Sequence, residues 1–384
     1  MPIYLDYSAT TPCRPEAIAK MQAVLTREWG NPSSLHLWGE QAAIVLEEAR
    51  LHVAGLINAT AESVVFTSGG TEANNIALFG TARTFSTPQH LIISAVEHAA
   101  VAQPARVLQQ QGWQVSFLSV GPTGLVDPKT LYQMLQDNTA LISVIYGQSE
   151  VGSVQPINTL GAIAHEHGIL FHTDAVQAAG RIPIDVSSSP IDLLSLSSHK
   201  IYGPQGAGAL YVKPGTPLDS LTHGGGQEQS LRPGTQSLPA IAGFGVAANY
   251  ALQELDAERQ RLTQLRELLF QLLADEPGLI PTGDRIHRLP HHVSFCLQST
   301  DRPAPKGRDL VRALSRAGIG ISAGSACNSG KTVPSPVLQA MGLDDMAAQS
   351  GIRLTLGRQT QRDQVETAAQ VLRRAVNSHA PRFS

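Results

Sequence analysis

The stretch Leu194-Ser-Leu-Ser-Ser-His-Lys-Ile-Tyr-Gly-Pro204 is the feature around which this chain is organised. It places Lys200 after an apolar run, residues 191–196, that is typical of a buried strand, and before a glycine-rich turn. A lysine amine forms a Schiff base when burial or a neighbouring cation lowers its pKa. A lone lysine after a strand is most often a solvated surface residue, so Lys200 has to be interpreted together with the other motifs of the chain.

Length and composition indicate a globular protein with two domains. The chain has 384 residues, of which 42% are hydrophobic and 15% are charged. This is too long for one small core, and we expect a large domain at residues 16–260 and a smaller one built from residues 1–15 and 261–384. The net charge of -3 indicates neither a nucleic-acid partner nor electrostatic binding to a membrane, and no apolar run is long enough for a bilayer span.

The N-terminus and the cysteines favour a cytoplasmic protein. The opening Met1-Pro-Ile-Tyr-Leu-Asp6 has neither the basic nor the apolar region of a signal peptide. Cys13, Cys296 and Cys327 are too widely spaced for a disulfide framework or a zinc pattern, which suits a reducing compartment. His165 and His167, with His172 nearby, have only a faint resemblance to a metal site, because residues two apart do not share a helical face, so we expect no metal.

Strand and helix patterns alternate over the first part of the chain. The predicted strands are residues 63–67, 90–96, 114–118, 141–146, 169–173, 191–196 and 209–212. Helices are predicted between them, including a short one at residues 175–179. This alternation predicts an α/β fold with a mainly parallel seven-stranded sheet covered by helices on both faces. A helical connector at residues 237–274 then leads to strands near 292–297 and 350–355, which predict a smaller α+β domain.

A glycine-rich turn follows the first of these strands, in Thr67-Ser-Gly-Gly-Thr-Glu-Ala-Asn74. In a parallel sheet, ligands bind beyond the carboxyl ends of the strands. Free N–H groups at Gly70, the Thr71 hydroxyl and the positive end of the next helix would form a cradle for one phosphate. The alternative is an ordinary helix start capped by Thr71.

Three more motifs lie at the ends of predicted strands. His98 could stack on a planar ring and Asp174 could hold a protonated pyridine nitrogen, although a loop histidine and a helix-capping aspartate are the ordinary alternatives. Ser197 and His199 lie beside Lys200 as further phosphate donors. A phosphate cradle, a stacking histidine, a pyridine-binding aspartate and a Schiff-base lysine, in this order on alternating strands, together indicate a pyridoxal 5'-phosphate site.

Further motifs appear in the same order as in a known family. They are Leu5-Asp-Tyr-Ser-Ala-Thr-Thr-Pro12, Gly30-Asn-Pro-Ser-Ser34, Phe66-Thr-Ser-Gly-Gly-Thr-Glu72, Glu97-His98, His172-Thr-Asp-Ala-Val-Gln177, Ser197-Ser-His-Lys-Ile-Tyr-Gly-Pro204, His223-Gly-Gly-Gly-Gln-Glu228, Arg232-Pro-Gly-Thr235, Gly324-Ser-Ala-Cys327 and Ile352-Arg353. From about residue 2 to about residue 360 the chain resembles the cysteine desulfurases of the NifS/IscS type. These are class-V aminotransferase-like enzymes of fold-type I that depend on pyridoxal phosphate.

This resemblance implies a role for each matching residue. Lys200 holds the cofactor and acts as the base, Asp174 pairs with the pyridine nitrogen, and His98 stacks on the ring and assists the proton transfers. Gln177 bonds the ring oxygen. The phosphate is bound by Gly70, Thr71, Ser197 and His199, and by Thr235 of the neighbouring subunit, so a homodimer is implied. Asn31 and Arg353 hold the substrate carboxylate, which suits the forked geometry of an arginine.

Cys327 lies in a small, polar, glycine-rich stretch, residues 321–335, which is typical of an exposed loop. A thiolate there could attack a sulfur atom of the substrate. The resemblance implies that L-cysteine is converted to L-alanine, that a persulfide forms on Cys327, and that its sulfur passes to an acceptor for iron–sulfur clusters or thio-cofactors. Cys296 lies in an apolar stretch and is expected to be structural, whereas Cys13 has no assigned role.

The chain departs from the family at Gln148-Ser149-Glu150-Val151-Gly152, where relatives have Asn-Asn-Glu. The second asparagine normally bonds the ring oxygen, and Ser149 occupies its position here. A serine is shorter, so Gln148, a water or Gln177 alone could replace that bond. His291-His292 directly precedes a predicted strand and is expected to be solvated.

Two alternatives to the desulfurase reaction are consistent with the same motifs. A cysteine or cystine C–S lyase, or a selenocysteine lyase, would share the cofactor site and depend less on Cys327. A protein that keeps the fold but has lost turnover is the other alternative, although the presence of Lys200, Asp174 and Cys327 argues against it.

Overall fold

The structure is a computed structural model that describes residues 2–297, 305–324 and 333–378. Its strands in chain order are β1 (Ile3–Tyr4), β2 (Val64–Thr67), β3 (His90–Ser94), β4 (Gln114–Leu118), β5 (Thr139–Ser143), β6 (Leu170–Asp174), β7 (Leu193–Ser197), β8 (Gly208–Val212), β9 (Leu279–Pro281), β10 (His292–Leu297), β11 (Ile319–Gly320), β12 (Ser322–Ala323) and β13 (Ile352–Thr355). Most of these strands belong to one large sheet, and the rest lie in two small ones.

The helices alternate with the strands as predicted. In chain order they are α1 (Pro15–Thr26), α2 (Leu37–Leu56), α3 (Gly70–Asn75), α4 (Thr81–Arg83), α5 (Ala99–Gln110), α6 (Pro128–Met134), α7 (Ile157–Glu166), α8 (Leu238–Gln253), α9 (Leu255–Leu272), α10 (Gly307–Arg316), α11 (Pro336–Ala340), α12 (Asp345–Ser350) and α13 (Arg362–Ser378). A π-helical turn, Ile76–Gly80, joins α3 to α4. No helix in the described part of the chain is long and apolar enough to cross a membrane.

The large sheet has seven strands in the order β2-β8-β7-β6-β5-β3-β4. Neighbouring strands from β4 to β7 run parallel, and only β8 is antiparallel to its neighbours β2 and β7. The central strands β5 and β7 are buried along their whole length, which explains their continuous apolar sequences. The predicted mainly parallel, seven-stranded α/β fold is therefore confirmed.

Helices cover both faces of the large sheet. On one face, Phe66 and Phe171 pack in a core that includes α2 and α8. On the other, Leu91 and Leu141 pack against α5. The helices α2 and α8 lie so close together that a Cβ atom at Gly245 would stand 2.5 Å from Cα of Ala49. Glycine is required at this crossing because the two backbones touch there.

A second core surrounds the four-stranded sheet β12-β13-β10-β9 and the parallel pair β1 and β11. It contains Leu5, Phe295 and Leu354, together with the apolar faces of α9, α10 and α13. The N-terminal strand thus pairs with the C-terminal part of the chain. The expected division of the chain at residues 260 and 261 falls inside α9, and its position stays a prediction.

Two predicted helices were wrong in detail. Residues 175–179 form a single turn in place of a helix, because Gly180, with φ of +68°, leads the chain out of it. The connector consists of two helices, α8 and α9, which meet at Glu254. The guanidinium of Arg14 donates to both Glu254 carboxylate oxygens at 2.9 Å and holds the chain at this break.

Candidate active site

Asp174 is the last residue of β6 and is buried at the carboxyl edge of the large sheet. Its Oδ1 accepts from the backbone N–H of Val176 at 3.0 Å, and its Oδ2 accepts from Nδ2 of Asn74 at 2.7 Å. Asn74 lies on α3, directly after the phosphate cradle predicted from the sequence. The carboxylate is therefore oriented from two elements, and a ring nitrogen could still bind a remaining lone pair of either oxygen.

Gly70 begins α3 next to the end of β7. A Cβ atom at this position would lie 2.6 Å from Cγ2 of Val176 and 3.6 Å from Cβ of Ser197. The absent side chain lets the N-terminus of α3 pack directly against Val176, and backbone N–H groups at a helix N-terminus favour an anion. Thr71, the next residue, is exposed, and Ser197 is buried at the end of β7. These residues fit a phosphate group.

Lys200 ends a 3-10 turn, Ser198–Lys200, that follows β7 directly. Its Nζ donates to the carbonyl oxygens of Ser8 and Ala9, each at 2.7 Å. Nε2 of Gln177 donates to the same Ser8 carbonyl at 2.9 Å. The N-terminal segment thus passes over the lysine and brings it together with Gln177, three residues beyond Asp174.

Two histidines of the site are each held by a hydrogen bond at Nδ1. Nδ1 of His98 accepts from the backbone N–H of Ala100 at 3.1 Å, which caps α5 and leaves the proton of the neutral ring on Nε2. Nδ1 of His199 lies 3.1 Å from Oγ1 of Thr10. Burial, together with the charge of Lys200, lowers the pKa of His199 to about 4, so this ring is neutral at physiological pH.

Glu97 is a buried carboxyl group beside Asp174 that the sequence did not single out for a role. Its Oε1 accepts from Ser94 Oγ and from the N–H of Ile145, both at 2.6 Å. Its Oε2 has no hydrogen-bond partner among the described residues. Burial raises the pKa of Glu97 to about 8; the Ser94 bond opposes this shift and the charge of Asp174 adds to it. The protein therefore keeps Glu97 protonated near neutral pH, which avoids a second negative charge next to Asp174.

Arg353 lies on β13, facing the segment that departs from the family. Its Nη2 donates to Oδ1 of Asp6 at 2.7 Å and its Nη1 donates to the Ser149 carbonyl at 2.9 Å. Its Nε is buried and has no partner among the described residues. An arginine held in place by two contacts, with an unsatisfied N–H, is suited to receive a carboxylate.

The side-chain amide of Gln148 forms hydrogen bonds with the backbone around it. Its Oε1 accepts from the N–H groups of Glu150 and Val151, and its Nε2 donates to the Val96 carbonyl at 3.2 Å. Ser149 is half-buried beside it, and its hydroxyl makes no hydrogen bond among the described residues. Of the three replacements considered for the missing asparagine, these contacts disfavour Gln148.

The expectation that His291 and His292 are solvated was wrong: their exposed fractions are 1% and 0%. Residues 149–152 cover the start of β10, where Nε2 of His292 donates to the Ser149 carbonyl at 3.2 Å. Nε2 of His291 lies 3.2 Å from Oγ of Ser8. Burial lowers the pKa of both rings well below the usual value, so both are neutral and structural.

Asn31 and Thr235 lie on the surface. Oδ1 of Asn31 accepts from the N–H of Ser33 at 3.0 Å, and Thr235 is exposed in the loop before α8. Both residues are exposed in a single chain, and their roles at the site stay predictions.

Cys327 lies outside the described residues, between Gly324 and Val333. The two other cysteines are poor nucleophiles. Cys296 is buried on β10, and burial, helped by the charge of Glu150, raises its pKa to about 12. Burial also raises the pKa of Cys13. In the described part of the chain, no group of three or more His, Cys, Asp or Glu residues gathers to hold a metal.

Many known proteins are similar to this chain in sequence and fold. Residues 3–367 match the family model for the class-V aminotransferases. A cysteine desulfurase IscS from Dictyoglomus turgidum is 40% identical over 376 residues, covering 97% of this chain and 94% of that protein. One from Pseudomonas entomophila is 41% identical over 383 residues, covering 98% and 93%. The solved structure of a NifS-like protein, 31% identical, superposes with a TM-score of 0.91 and covers 98% of this chain and all of that one. A NifS-like protein from Rickettsia africae, 28% identical, superposes with a TM-score of 0.87 and covers 98% and 99%.

Proposed function

This chain belongs to the class-V aminotransferase family and is a cysteine desulfurase, and from this premise we propose that it uses Lys200, Asp174 and Cys327 to move the sulfur of L-cysteine onto Cys327. One observation carries the proposal. Lys200 and Asp174 lie at the carboxyl ends of the adjacent parallel strands β7 and β6, and Asp174 is oriented by a hydrogen bond from Asn74. This is the edge at which a parallel sheet binds its ligands.

The residues present fit pyridoxal phosphate as the cofactor. The backbone N–H groups at Gly70, with Thr71, Ser197 and His199, would hold the phosphate, while Asp174 would hold the ring nitrogen. Gln177 and the hydroxyl of Ser149 would bond the ring oxygen, and His98 would stack on the ring. When bound, the cofactor supplies an electron sink for negative charge on the substrate α-carbon.

Lys200 would act as the base that takes and returns the proton of the substrate α-carbon. The carbonyls of Ser8 and Ala9 lie 2.7 Å from its amine and would hold it whenever it carries a proton. His98 has its Nε2 proton directed away from the backbone contact at Nδ1, and it would assist these transfers. Arg353, with its unsatisfied Nε, and Asn31 would bind the substrate carboxylate.

Cys327 would be the nucleophile. Its thiolate forms a bond to the substrate sulfur while the bond between that sulfur and the substrate β-carbon breaks. The electron pair of the broken bond stays with the carbon, which is then protonated, so the products are L-alanine and a persulfide on Cys327. The raised pKa values of Cys13 and Cys296 disfavour both as substitutes.

We also propose that the chain works as a homodimer. The segment from α1 through α2 exposes a row of large apolar side chains, and an apolar row of this size is typical of an interface. Its members are Leu25, Trp29, Leu35, Leu37, Trp38 and Ile44, with exposed fractions from 52% to 95%. A second subunit would cover them and could bring its own Thr235 to the phosphate. The persulfide would then pass to a sulfur acceptor, such as an iron–sulfur scaffold in the cytoplasm.

The decisive experiment compares wild type with Cys327→Ala, with Cys13→Ala as the matched control. Each protein receives L-cysteine and a reductant, and alanine, sulfide and pyruvate are measured together. We expect wild type and the Cys13 variant each to release alanine and sulfide in equal amounts. The Cys327 variant should release almost none of either product. Continued sulfide release with pyruvate in place of alanine would mean a C–S lyase, which the similarity to proteins named cysteine desulfurase does not favour.

A further inference from the structure

The loop of residues 223–236 contains an unusual run of backbone conformations. Glu228, Gln229 and Ser230 have φ angles of +48°, +56° and +66°. In the left-handed region the Cβ atom of an L-residue approaches the following carbonyl oxygen, so residues other than glycine rarely adopt it. Three such residues in succession persist only where the surrounding structure imposes the conformation.

The Glu228 carboxylate is the contact that imposes it. Its side chain is fully buried, and Arg50 of α2 donates Nη1 to Oε2 at 2.7 Å and Nη2 to Oε1 at 2.9 Å. The N–H of Phe66 also donates to Oε2, at 2.8 Å, and Nη1 of Arg50 reaches the Val64 carbonyl at 2.7 Å. One carboxylate therefore joins the loop to α2 and to β2.

Gln227 and Glu228 also form hydrogen bonds with the residues on both sides of Thr235. Oε1 of Gln227 accepts from the N–H of Gly234 at 3.0 Å. Oε1 of Glu228 accepts from Nε2 of Gln236, also at 3.0 Å. Thr235, between these two anchored residues, is exposed. The contacts thus hold the Gly234 backbone and the Gln236 side chain, on either side of Thr235, while the Thr235 side chain stays at the surface.

We propose that the buried ion pair between Arg50 and Glu228 is a positioning device for Thr235, which it holds ready to bind the cofactor phosphate in a partner subunit. This inference rests on the proposed function, in which Thr235 acts across the dimer. Burying an ion pair brings little net stability, because desolvation offsets the attraction between the charges. A bidentate arginine–carboxylate pair fixes the orientation of the groups that it joins. A surface threonine that binds a group on another chain needs such a fixed orientation.

The test measures affinity for pyridoxal phosphate itself. Wild type, Glu228→Gln, Thr235→Val and the double variant are stripped of cofactor and titrated with pyridoxal phosphate, with binding followed by visible absorbance. We expect each single variant to bind about tenfold more weakly, the loss of one hydrogen bond to a charged group. The double variant should bind no more weakly than Thr235→Val alone, because Glu228 acts only through Thr235.

Glu254→Gln is the matched control. It neutralises the carboxylate of another bidentate arginine pair, in which Arg14 donates to both oxygens of Glu254 at 2.9 Å. This variant should lose thermal stability and keep wild-type affinity for pyridoxal phosphate. If Glu228→Gln does not fold, Gln236→Met is the substitute. It removes the hydrogen bond from Gln236 to Glu228 and leaves the ion pair in place, and we expect the same loss of affinity for pyridoxal phosphate.

Three results would overturn the inference. They are wild-type affinity in Glu228→Gln or Gln236→Met, losses that multiply in the double variant, and a Glu228→Gln protein that sediments as a monomer where wild type is a dimer. A monomeric Glu228→Gln protein would mean that the ion pair between Arg50 and Glu228 supports dimer assembly. A wild-type protein that binds no pyridoxal phosphate would overturn the proposed function as well, which distinguishes the two failures.

Discussion

Asn74 donates from Nδ2 to Oδ2 of Asp174 at 2.7 Å, and so a residue of the phosphate-cradle helix fixes the carboxylate that would hold the ring nitrogen. The bond joins residues one hundred positions apart in the chain. Both side chains are buried, so water does not compete for the contact. A direct hydrogen bond therefore joins α3 to Asp174, the two parts of the proposed cofactor site.

Replacing Asn74 should weaken cofactor binding. Asn74→Leu keeps the size of the side chain and removes a hydrogen bond to a charged group, which contributes about 1.5–3 kcal/mol. We expect affinity for pyridoxal phosphate to fall roughly tenfold to a hundredfold in titrations of the stripped protein. Asn249→Leu on α8 is the control and should bind as wild type does, because the Asn249 side chain accepts a hydrogen bond from Gln253, on the same helix. Equal affinity in all three proteins would show that Asp174 does not need this bond.

Replacing Glu97 should remove a pH dependence of stability. Burial raises its pKa to about 8 from 4.5. Between these values the folded protein keeps the proton while the unfolded chain loses it, so the contribution of Glu97 to stability falls as pH rises through this window. At about 1.4 kcal/mol per pKa unit, the effect is on the order of a few kcal/mol.

Urea unfolding of wild type and Glu97→Gln at pH 5 and pH 8 would measure this dependence. We expect the difference in unfolding free energy, wild type minus variant, to be smaller at pH 8 than at pH 5. Glutamine does not titrate, so only wild type loses the contribution of Glu97. A difference that stays constant would mean that Glu97 is ionised in the fold, with a charge that Asp174 tolerates.

Replacing Arg353 should affect substrate binding more than turnover. Arg353→Lys keeps the positive charge and loses the fork that reaches Asp6 and Ser149, together with the unsatisfied Nε. We expect KM for L-cysteine to rise at least about tenfold, with a smaller fall in kcat, as for the loss of a contact made in both ground and transition states. Arg358→Lys, whose side chain is 41% exposed, is the control. An unchanged KM would place the carboxylate site elsewhere.

The three cysteines should differ in their rates of alkylation. The thiolate is the reactive form, and burial raises the pKa of Cys296 to about 12 and also raises that of Cys13. Treating the native protein with iodoacetamide at pH 7.5 and following each cysteine by mass spectrometry should show Cys327 reacting first and Cys296 last. Labelling of Cys296 at the rate of Cys327 would contradict this order.

Much of the fold could be predicted from the sequence, since buried strands of a parallel sheet are recognisable as short apolar runs between helical patterns. The misplaced helix at residues 175–179 shows the limit of such patterns. Its alanine-rich sequence favours a helix, but Gly180 turns the chain after one turn, and a Cβ atom there would lie 2.9 Å from Cγ2 of Ile201. Tertiary packing overrides local propensity at such a place.

The sequence by itself determined the fold class and the family, because alternating strand and helix patterns and ordered motifs can be recognised in one sequence. The same motifs single out Lys200, Asp174 and Cys327, whose roles stay predictions. Only the tertiary structure decided that Asn74 orients Asp174, that Glu97 is protonated, and that His291 and His292 are buried. These depend on contacts between distant segments and on the exclusion of water, and neither leaves a periodic signal in one sequence. Desolvation is a property of the packed molecule, so the charge of a buried group can be assigned only once its surroundings are known.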